Sequence, residues 1–278
     1  MARGVRRLVP SDVPACLALA VDRDWGSEEA RWRLMLDVGD GYGWEGPDGE
    51  LCATAVLSRY GRAGVVGMML VDSRHERRGI GRALMEHLLG EARDLDSVFL
   101  YSTAQGLPLY EKLGFTAQHE VAMHIGEFDA SAAGPAVTGR PSAEERAQAR
   151  ALDAAVHGLN RSRLLARLPE FADRMLVSRG ADGRVDGYAA AWRNLDRTAI
   201  GPVLAPGPET ARALVTGLAA GSGGPVRLEC KVTPDADLRA WALRCGLAEA
   251  GRTTFMVRGA PLPTDGARMF APLMHGLG

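Results

Sequence analysis

The clearest chemical pattern in the sequence is a group of glycines and arginines between residues 74 and 82. Gly79 and Gly81 stand where the apolar run 63–71 gives way to a helical pattern near Ala83. The same turn carries four cations, Arg74, Arg77, Arg78 and Arg82. Glycine lets the backbone approach a ligand, and the first N–H groups of a helix can bind an anion. Because a helix N terminus disfavours cations, the arginines indicate an anionic ligand rather than a glycine turn with solvated arginines.

The elements that position this turn follow from the hydrophobic pattern. An extended segment over 5–10 leads to a helix that begins at Ser11 or Asp12. Further elements are a helix over 27–37, strands over 42–45 and 51–59 joined by the Gly-Pro-Asp-Gly turn 46–49, and a strand over 63–71 that is buried on both faces. After the turn the pattern predicts a helix, a strand over 97–101, a short helix over 107–113 and a strand over 116–125.

The second half of the chain repeats this order of elements. Residues 129–141 are rich in Ala, Gly, Ser and Pro, which is typical of a linker. Helices over 142–156 and 161–168 then precede strands near 175–178, 187–192 and 199–204, a helix over 209–220, a strand over 226–230, a helix over 237–245 and a strand over 254–257. The repeated order predicts an internal duplication.

Two short motifs of the first half resemble those of a known family. Residues 76–81, Glu-Arg-Arg-Gly-Ile-Gly, are similar to the Gln/Arg-x-x-Gly-x-Gly/Ala signature of the GCN5-related N-acetyltransferase (GNAT) family. Residues 109–115, Leu-Tyr-Glu-Lys-Leu-Gly-Phe, resemble its second signature. The resemblance covers about residues 3–127 and implies an α/β fold with a mixed sheet. With the duplication it implies two tandem acyl-CoA N-acyltransferase (GNAT) folds, a catalytic domain over 1–128, a linker over 129–141 and a degenerate domain over 142–278.

The resemblance also implies a site for acetyl-CoA between the strands that end at Val71 and Tyr101. The pyrophosphate would lie on N–H groups of residues 77–82, and a main-chain N–H near Met69 or Leu70 would polarise the thioester carbonyl. Tyr110 matches the tyrosine that protonates the departing thiolate. The implied cofactor-binding residues are Met69, Leu70, Val71, Arg77, Arg78, Gly79, Ile80, Gly81, Arg82 and Thr103, and no metal ligand is expected.

Two residues depart from the family pattern. Glu76 stands where Gln or Arg is usual, so we expect its carboxylate to turn away from the pyrophosphate, toward Arg74 or Arg77. Thr103 occupies the position of a common asparagine, which puts the cofactor contact there in doubt. No base that would accept the amine proton is evident from the pattern. The candidates are Asp22, Asp24, Glu28, His119 and Glu120, and a water chain is the alternative.

The second half lacks the residues for the same chemistry. Residues 205–211 contain no Gly-x-Gly and place two prolines where phosphate would need N–H donors. Ala242 stands at the counterpart of Tyr110, beside Trp241. This combination of an intact first copy and a degenerate second one resembles tandem members of the holothin acetyltransferase type. We expect the second half to wall the acceptor pocket, with Trp192 or Trp241 as lining or, alternatively, as core residues.

Composition limits the partners and the compartment. The 33 Lys and Arg residues and 34 Asp and Glu residues leave a formal charge of −1, so no long-range field would hold nucleic acid or a membrane surface. All but two of the cations are arginine, which is typical of a high-GC bacterial genome. The four cysteines have no Cys-x-x-Cys spacing, which favours buried free thiols over a zinc site or disulfides. No signal sequence or membrane span is evident, so a cytoplasmic location is expected.

The sequence therefore predicts an enzyme that transfers an acetyl group from acetyl-CoA directly to a primary amine of a small molecule, through a tetrahedral intermediate. Transfer to a protein N terminus or lysine is a second enzymatic reading, which would require an open acidic groove. A third reading is a non-catalytic acyl-CoA binding or sensor module, for which the departures at Glu76 and Thr103 would argue.

Overall fold

The computed structural model describes residues 4–232 and 237–278. The chain divides into two compact units. Unit 1 consists of the chain up to Thr116 together with Met256–Pro261 and His275–Gly278. Unit 2 consists of Ala117–Phe255 and Leu262–Met274.

Unit 1 is a mixed sheet with four helices. Its strands are β1 (Gly4–Arg7), β2 (Asp40–Glu45), β3 (Leu51–Tyr60), β4 (Ala63–Val71) and β5 (Ser97–Ser102), and its helices are α1 (Val13–Asp22), α2 (Glu29–Val38), α3 (Ile80–Glu91) and α4 (Leu107–Lys112). The strands lie in the order β1-β2-β3-β4-β5, antiparallel from β1 to β4 and parallel between β4 and β5. Residues 256–261 lie beside β5, where Ala260 N–H donates to Asp96 O at 2.9 Å.

The central strands β3 and β4 of unit 1 are buried on both faces along most of their length, as predicted for the run 63–71. Every residue of β3 between Cys52 and Ser58 is buried, and α1, α2 and α3 all pack against this strand. In α3 the side chains of Leu84, Met85 and Leu88 share one core cluster with β3. Their spacing of three and four residues places them on one face of the helix, so the opposite face stays in solvent.

Unit 2 repeats the arrangement. Its strands are β6 (Thr116–Gly126), β7 (Arg174–Arg179), β8 (Val185–Asn194), β9 (Arg197–Leu204), β10 (Val226–Lys231), β11 (Ala248–Gly259, of which the part up to Phe255 belongs here) and β12 (Met269–Ala271), and its helices are α5 (Ala143–His157), α6 (Ser162–Phe171), α7 (Pro208–Ala219) and α8 (Asp237–Arg244). The strand order is β11-β6-β10-β9-β8-β7, and β12 pairs with β9. As in unit 1, an antiparallel hairpin leads through a helix to a parallel strand, because β8 and β9 are antiparallel while β9 and β10 are parallel. The predicted duplication is confirmed at the level of topology.

The compact units differ from the predicted division into 1–128, 129–141 and 142–278. The segment 129–141, predicted to be a linker, packs on the core of unit 2. Trp241 Nε1 donates to Ala133 O at 3.1 Å, and Val137 N–H donates to Ala213 O at 2.9 Å. The strand β6 pairs with β10, which places residues 117–128 in unit 2. Burial of Ala133 and these strand contacts outweigh the flexibility that the composition suggested.

Candidate functional site

A gap opens between β4 and β5 in unit 1. The parallel ladder ends where Val66 pairs with Leu100, yet β4 continues to Val71 and β5 to Ser102. Near the same point β4 carries a bulge against β3, and Met68 adopts a positive φ of 51°. The Thr54 hydroxyl donates to Met68 O at 2.9 Å and holds this unusual backbone in place. The edge of β4 that includes Met69, Leu70 and Val71 therefore faces the gap without a β5 partner, as the family resemblance implies for a bound pantetheine arm.

The glycine turn forms the N terminus of α3, one end of this gap. Gly79 is the N-cap residue with a φ of +81°, a conformation that other residues adopt only at a cost. The first helical bond runs from Ala83 N–H to Gly79 O at 2.9 Å, so the preceding N–H groups are available to an anion. At Gly81 a Cβ would lie 3.3 Å from Met69 Cε and 3.4 Å from Val71 Cγ2. The absence of a side chain there lets α3 approach β4 closely.

The four arginines of the turn have different roles. Arg74 binds Asp72 through Nε and Nη2 at 3.0 and 2.7 Å, and this guanidinium lowers the pKa of the buried Asp72 carboxyl to about 2. Arg82 pairs with Glu86 at 2.8 Å. Arg77 and Arg78 are exposed, and neither has an ion-pair partner within the described residues. Two of the four charges therefore remain available to a diphosphate, and the turn fits such a group.

Glu76 turns away from the helix N terminus, but not toward the predicted partners. Its Oε1 lies 2.7 Å from Nη1 of Arg23 and accepts a hydrogen bond from Gln105 Nε2 at 3.2 Å. Arg23 Nη2 also donates to the Gln105 side-chain oxygen at 3.2 Å. The expected pairing with Arg74 or Arg77 was wrong because Arg74 is held by Asp72, whereas Arg23 follows α1 directly and reaches Glu76.

Tyr110 lies at the other end of the gap. Its side chain is buried, and its ring meets Phe115 edge to face at 5.9 Å between centroids. Burial raises the pKa of its hydroxyl to about 12. The phenol therefore stays protonated at neutral pH, and a protonated hydroxyl can donate to an atom that gains negative charge.

Tyr110 lines a cavity at the mouth of the gap. The other lining residues are Trp25, Arg31, Val66, Gly67, Met68, Met69, Leu100, Tyr101, Thr103, His275 and Gly276. The structure thus brings Thr103 to the same cavity as Tyr110, although its Oγ1 also accepts from Gly106 N–H at 3.3 Å. Met69, one of the predicted cofactor-binding residues, also lines this cavity, and its Cε is the side-chain atom nearest to a Cβ built on Gly81.

Residues 275–278 are the part of this site that the sequence analysis missed. The imidazole of His275 stacks on Tyr101 with 4.8 Å between ring centroids. Gly276 packs on β4 so closely that a Cβ on Gly67 would lie 2.5 Å from Gly276 Cα. Tyr60 Oη donates to Leu277 O at 2.8 Å and fixes the segment. No local sequence pattern predicts that the segment 275–278 packs against unit 1. The only related feature in the sequence is that both residues of the close contact, Gly67 and Gly276, are glycines.

The five candidate bases do not share one place. Asp22 accepts hydrogen bonds from Ser73 N–H and Oγ at 2.7 and 2.8 Å, so it holds the loop before the glycine turn. Glu28 is buried and lies 3.5 Å from Arg31, whereas Asp24 is exposed.

His119 and Glu120 belong to unit 2. Burial lowers the pKa of His119 to about 4, and Glu120 pairs with Arg252 at 2.9 Å. None of the five candidates is among the residues that line the cavity at Tyr110, although Arg31, the ion-pair partner of Glu28, is.

In unit 2 the short strand β12 pairs with the part of β9 that corresponds to the unpaired end of β4 in unit 1. The ladder between β9 and β10 ends at Ile200, and β12 then pairs with Val203 and Leu204 of β9. A Cβ on Gly201 would overlap Pro272 O. Before α7, Gly207 is the N-cap and Pro208 the first helical residue, which removes one N–H donor. Ala242, the counterpart of Tyr110, is fully buried.

The two tryptophans predicted as pocket lining are buried side chains of unit 2. Trp241 belongs to the main core cluster of this unit and contacts Phe128 at 5.8 Å between ring centroids. Trp192 packs on Phe171 at 5.4 Å. Both side chains are buried core residues, which was the alternative interpretation, and neither is among the residues that line the unit 1 cavity.

Comparison with known proteins matches this duplicated fold. Two family models, each described as an acetyltransferase (GNAT) domain, match residues 43–117 and 149–271, which together make up more than half of the chain. The chain belongs to the GNAT family of N-acetyltransferases. It holds two GNAT domains in tandem, as the sequence motifs and the duplication predict. Members of this family use acyl-CoA donors and amine acceptors.

Individual proteins are similar to this chain over most of its length. The chain is 28% identical over 213 residues to the uncharacterized N-acetyltransferase YitH of Bacillus subtilis, a match over 74% of this chain and 73% of that protein. A crystal structure from Pyrococcus horikoshii, assigned to the acetyltransferases, superposes with a TM-score of 0.81 at 18% identity over 99% of this chain and 95% of that one. A tandem GNAT protein of clavulanic acid biosynthesis superposes with a TM-score of 0.64 at 17% identity, over 92% and 98% of the two chains. In the described part of the chain, no helix is long and apolar enough to span a bilayer.

Proposed function

We propose that unit 1 transfers the acetyl group of acetyl-CoA to the primary amine of a small molecule, and that unit 2 binds no acyl-CoA. The observation that carries this proposal is the contrast between the two parallel strand pairs. Beyond Val66, β4 has no strand partner on the β5 side, and its residues Gly67, Met68 and Met69 line a cavity together with Tyr110. Beyond Ile200, the equivalent edge of β9 is paired with β12.

In this proposal each part of the gap holds one part of acetyl-CoA. The diphosphate binds the N–H groups of residues 77–82, and the exposed Arg77 and Arg78 add positive charge. The pantetheine arm follows the backbone of Leu70 and Val71. An N–H at Met69 or Leu70 donates to the thioester oxygen as negative charge develops there. The positive φ of Met68 supports this role, because it turns the backbone of β4 at the point where such a donor is needed.

The chemical step balances with two proton transfers. The neutral amine attacks the thioester carbon, so a C–N bond forms and the C–S bond breaks. Tyr110 donates a proton to the departing sulfur and regains one from solvent. The amine nitrogen must lose a proton, and His275 is an imidazole in the same cavity that can accept it. His275 is thus our candidate for the base that the sequence analysis did not find.

The cavity favours a small acceptor over a polypeptide. Trp25, Arg31 and His275 all line the cavity, and the close contact of Gly276 with Gly67 leaves little width for a main chain at this point. Transfer to a protein N terminus or lysine would need an open groove lined by acidic side chains, which these lining residues do not provide.

The experiment is an assay of thiol release from acetyl-CoA against a panel of small amines, amino acids and N-terminal peptides. We expect release with a subset of small amines, dependent on Tyr110. Release with peptides alone would favour the protein acetyltransferase. Tight binding of acetyl-CoA without release for any acceptor would favour the acyl-CoA sensor.

A further inference from the structure

A second group of reactive side chains lies in unit 1, where β3 begins. Glu50, Cys52 and His75 bring one carboxylate oxygen, one thiol and one imidazole nitrogen to the same point. Glu50 and Cys52 flank Leu51 at the start of β3, and His75 comes from the loop that precedes the glycine turn. The proposed acetyl transfer uses none of these three side chains.

The distances within this group are those of three ligands around one metal ion. Cys52 Sγ lies 3.5 Å from Glu50 Oε1 and 3.7 Å from His75 Nε2, and the two latter atoms are 3.8 Å apart. In a tetrahedral zinc site with Zn–S of about 2.3 Å and Zn–N or Zn–O of about 2.0–2.1 Å, neighbouring ligand atoms are about 3.3–3.6 Å apart. The three atoms thus form one face of a slightly expanded tetrahedron.

Neighbouring groups orient two of these ligands. Asp48 N–H donates to Glu50 Oε2 at 3.0 Å, which leaves Oε1 directed at Cys52. Asp72 Oδ1 lies 3.5 Å from His75 Nδ1, on the side of the ring opposite Nε2. A carboxylate behind the second imidazole nitrogen is the usual support of a metal-bound histidine.

The turn 46–49 is shaped to leave room for this group. A Cβ on Gly46 would overlap Glu50 Oε1 and would lie 2.7 Å from Cys52 Sγ. Cys52 is 1% exposed, whereas His75 and Glu50 are partly exposed, so an ion can enter from the side of the carboxylate. Three protein ligands would leave the fourth tetrahedral position to a water from the exposed side.

We propose that Glu50, Cys52 and His75 bind one Zn²⁺ ion. A thiolate with an imidazole and a carboxylate is a donor set that suits zinc better than the hard cations Mg²⁺ and Ca²⁺, which prefer all-oxygen sites. On binding, the S–H bond of Cys52 breaks, its proton passes to solvent and a Zn–S bond forms. The ion joins the start of β3 to the loop before the glycine turn and so stabilises unit 1.

Sequence spacing alone does not reveal this site. Cys52 and His75 lie 23 residues apart on different elements, and no second cysteine or histidine accompanies either at short spacing. The expectation of no metal ligand was drawn from the absence of such motifs, and the geometry points instead to a site assembled by the fold.

The experiment is a titration of the tag-free, EDTA-treated protein with Co²⁺, which gives an intense near-ultraviolet charge-transfer band only when bound to thiolate. We expect the band to saturate at one Co²⁺ per chain and to disappear on addition of one equivalent of Zn²⁺. Cys52→Ser should abolish it, and His75→Asn and Glu50→Gln should each weaken binding by at least about 10- to 100-fold, the loss that removal of an outer-shell partner already causes. Cys16→Ala, another buried cysteine of unit 1, is the matched control and should keep the band.

A second readout guards against variants that fail to fold. Zn²⁺ should raise the melting temperature of the wild-type protein and of Cys16→Ala, and should raise that of His75→Asn or Glu50→Gln by less at the same Zn²⁺ concentration. The proposal is overturned if the wild-type protein shows no thiolate band, or if the band survives Cys52→Ser. It is also overturned if Zn²⁺ stabilises the ligand variants as much as it stabilises the wild type.

Discussion

Arg23 and Glu76 form an ion pair of 2.7 Å that joins the end of α1 to the loop before α3. Glu76 stands where the family signature that the sequence resembles has Gln or Arg, next to the N–H groups proposed to bind diphosphate. The pair explains how an acidic residue is tolerated there, because Arg23 balances its charge and Gln105 holds the carboxylate from the other side. Arg23, which directly follows α1 and lies outside the signature motif, thus supplies the cation that balances Glu76 beside the proposed diphosphate site.

This relationship predicts opposite effects of two substitutions on acetyl-CoA affinity. Arg23→Ala removes the balancing charge and should weaken binding about two- to fivefold, the range of a partly exposed ion pair. Glu76→Gln removes the negative charge and should leave affinity unchanged or slightly improved. Calorimetry on both variants and on the double variant checks this. The account fails here if Glu76→Gln weakens binding as much as Arg23→Ala does.

Tyr110→Phe should separate catalysis from binding. The phenyl ring fills the same buried space, but it cannot protonate the departing thiolate. We expect kcat to fall about 100-fold, the usual contribution of a general acid, and the Kd for acetyl-CoA to change by less than about twofold. Steady-state thiol release and calorimetry give the two values. An unchanged kcat would remove Tyr110 from the mechanism.

The pH dependence of the Tyr110 contribution follows from its pKa. Burial raises that pKa from 10.0 to about 12, so the protonated hydroxyl persists through pH 10 and is lost only as pH approaches the higher value. The ratio of kcat for wild type to kcat for Tyr110→Phe should therefore stay constant between about pH 8 and pH 10.5. The ratio cancels the titration of other groups. A ratio that has halved by pH 10 would mean that the hydroxyl titrates as an ordinary tyrosine.

Gly79 and Gly90 provide a matched pair on α3. Gly79 has a φ of +81°, so Gly79→Ala should lower the free energy of unfolding by about 1–2 kcal/mol. The substitution should also disturb the N–H groups proposed to bind the diphosphate and so weaken acetyl-CoA binding at least tenfold. Gly90 is exposed within the helix, and nothing lies within 4 Å of a Cβ built there. Gly90→Ala should stabilise the protein by about 0.5–1 kcal/mol without an effect on binding. Chemical denaturation and calorimetry compare the two, and equal effects would contradict the assigned roles.

His275→Ala should slow acetyl transfer without loss of acetyl-CoA binding. If the imidazole accepts the amine proton, kcat should fall by about 100-fold or more while the Kd for acetyl-CoA stays within a factor of about two. His275→Phe preserves a ring that can stack on Tyr101 but cannot accept a proton, and it should be equally slow. Recovery of turnover in His275→Phe would show that the ring only packs the cavity.

The sequence contains enough to predict most of unit 1. The turn signal at 46–49 and the apolar run 63–71 place β3 and β4 within one residue of their observed bounds, and the helical spacing after the glycine turn predicts α3. The apolar run of β4 and the glycines at the start of α3 are local sequence patterns, and together they predict where the proposed diphosphate site lies. The resemblance of its motif implies the role of Tyr110, and the structure places this side chain in the cavity that Met68 and Met69 also line.

What could not be predicted depends on contacts distant in sequence. His275 stacks on Tyr101, which lies more than 170 residues earlier in the chain. Residues 256–261 lie beside β5 in unit 1, although the segments on either side of them belong to unit 2. The three-residue β12 is too short for a periodic signal, yet its pairing with β9 decides whether the second gap is filled. Such contacts form because burial and strand pairing reward them in the folded chain, and neither leaves a local pattern.

The most direct test of the central claim is a calorimetric titration of the whole chain with acetyl-CoA. We predict one molecule per chain, with binding abolished when Gly79→Val and Gly81→Leu are combined and retained in Gly90→Ala. Two molecules per chain would show that β12 does not exclude the donor from unit 2. No binding to the wild-type chain would contradict the proposed acetyl transfer itself.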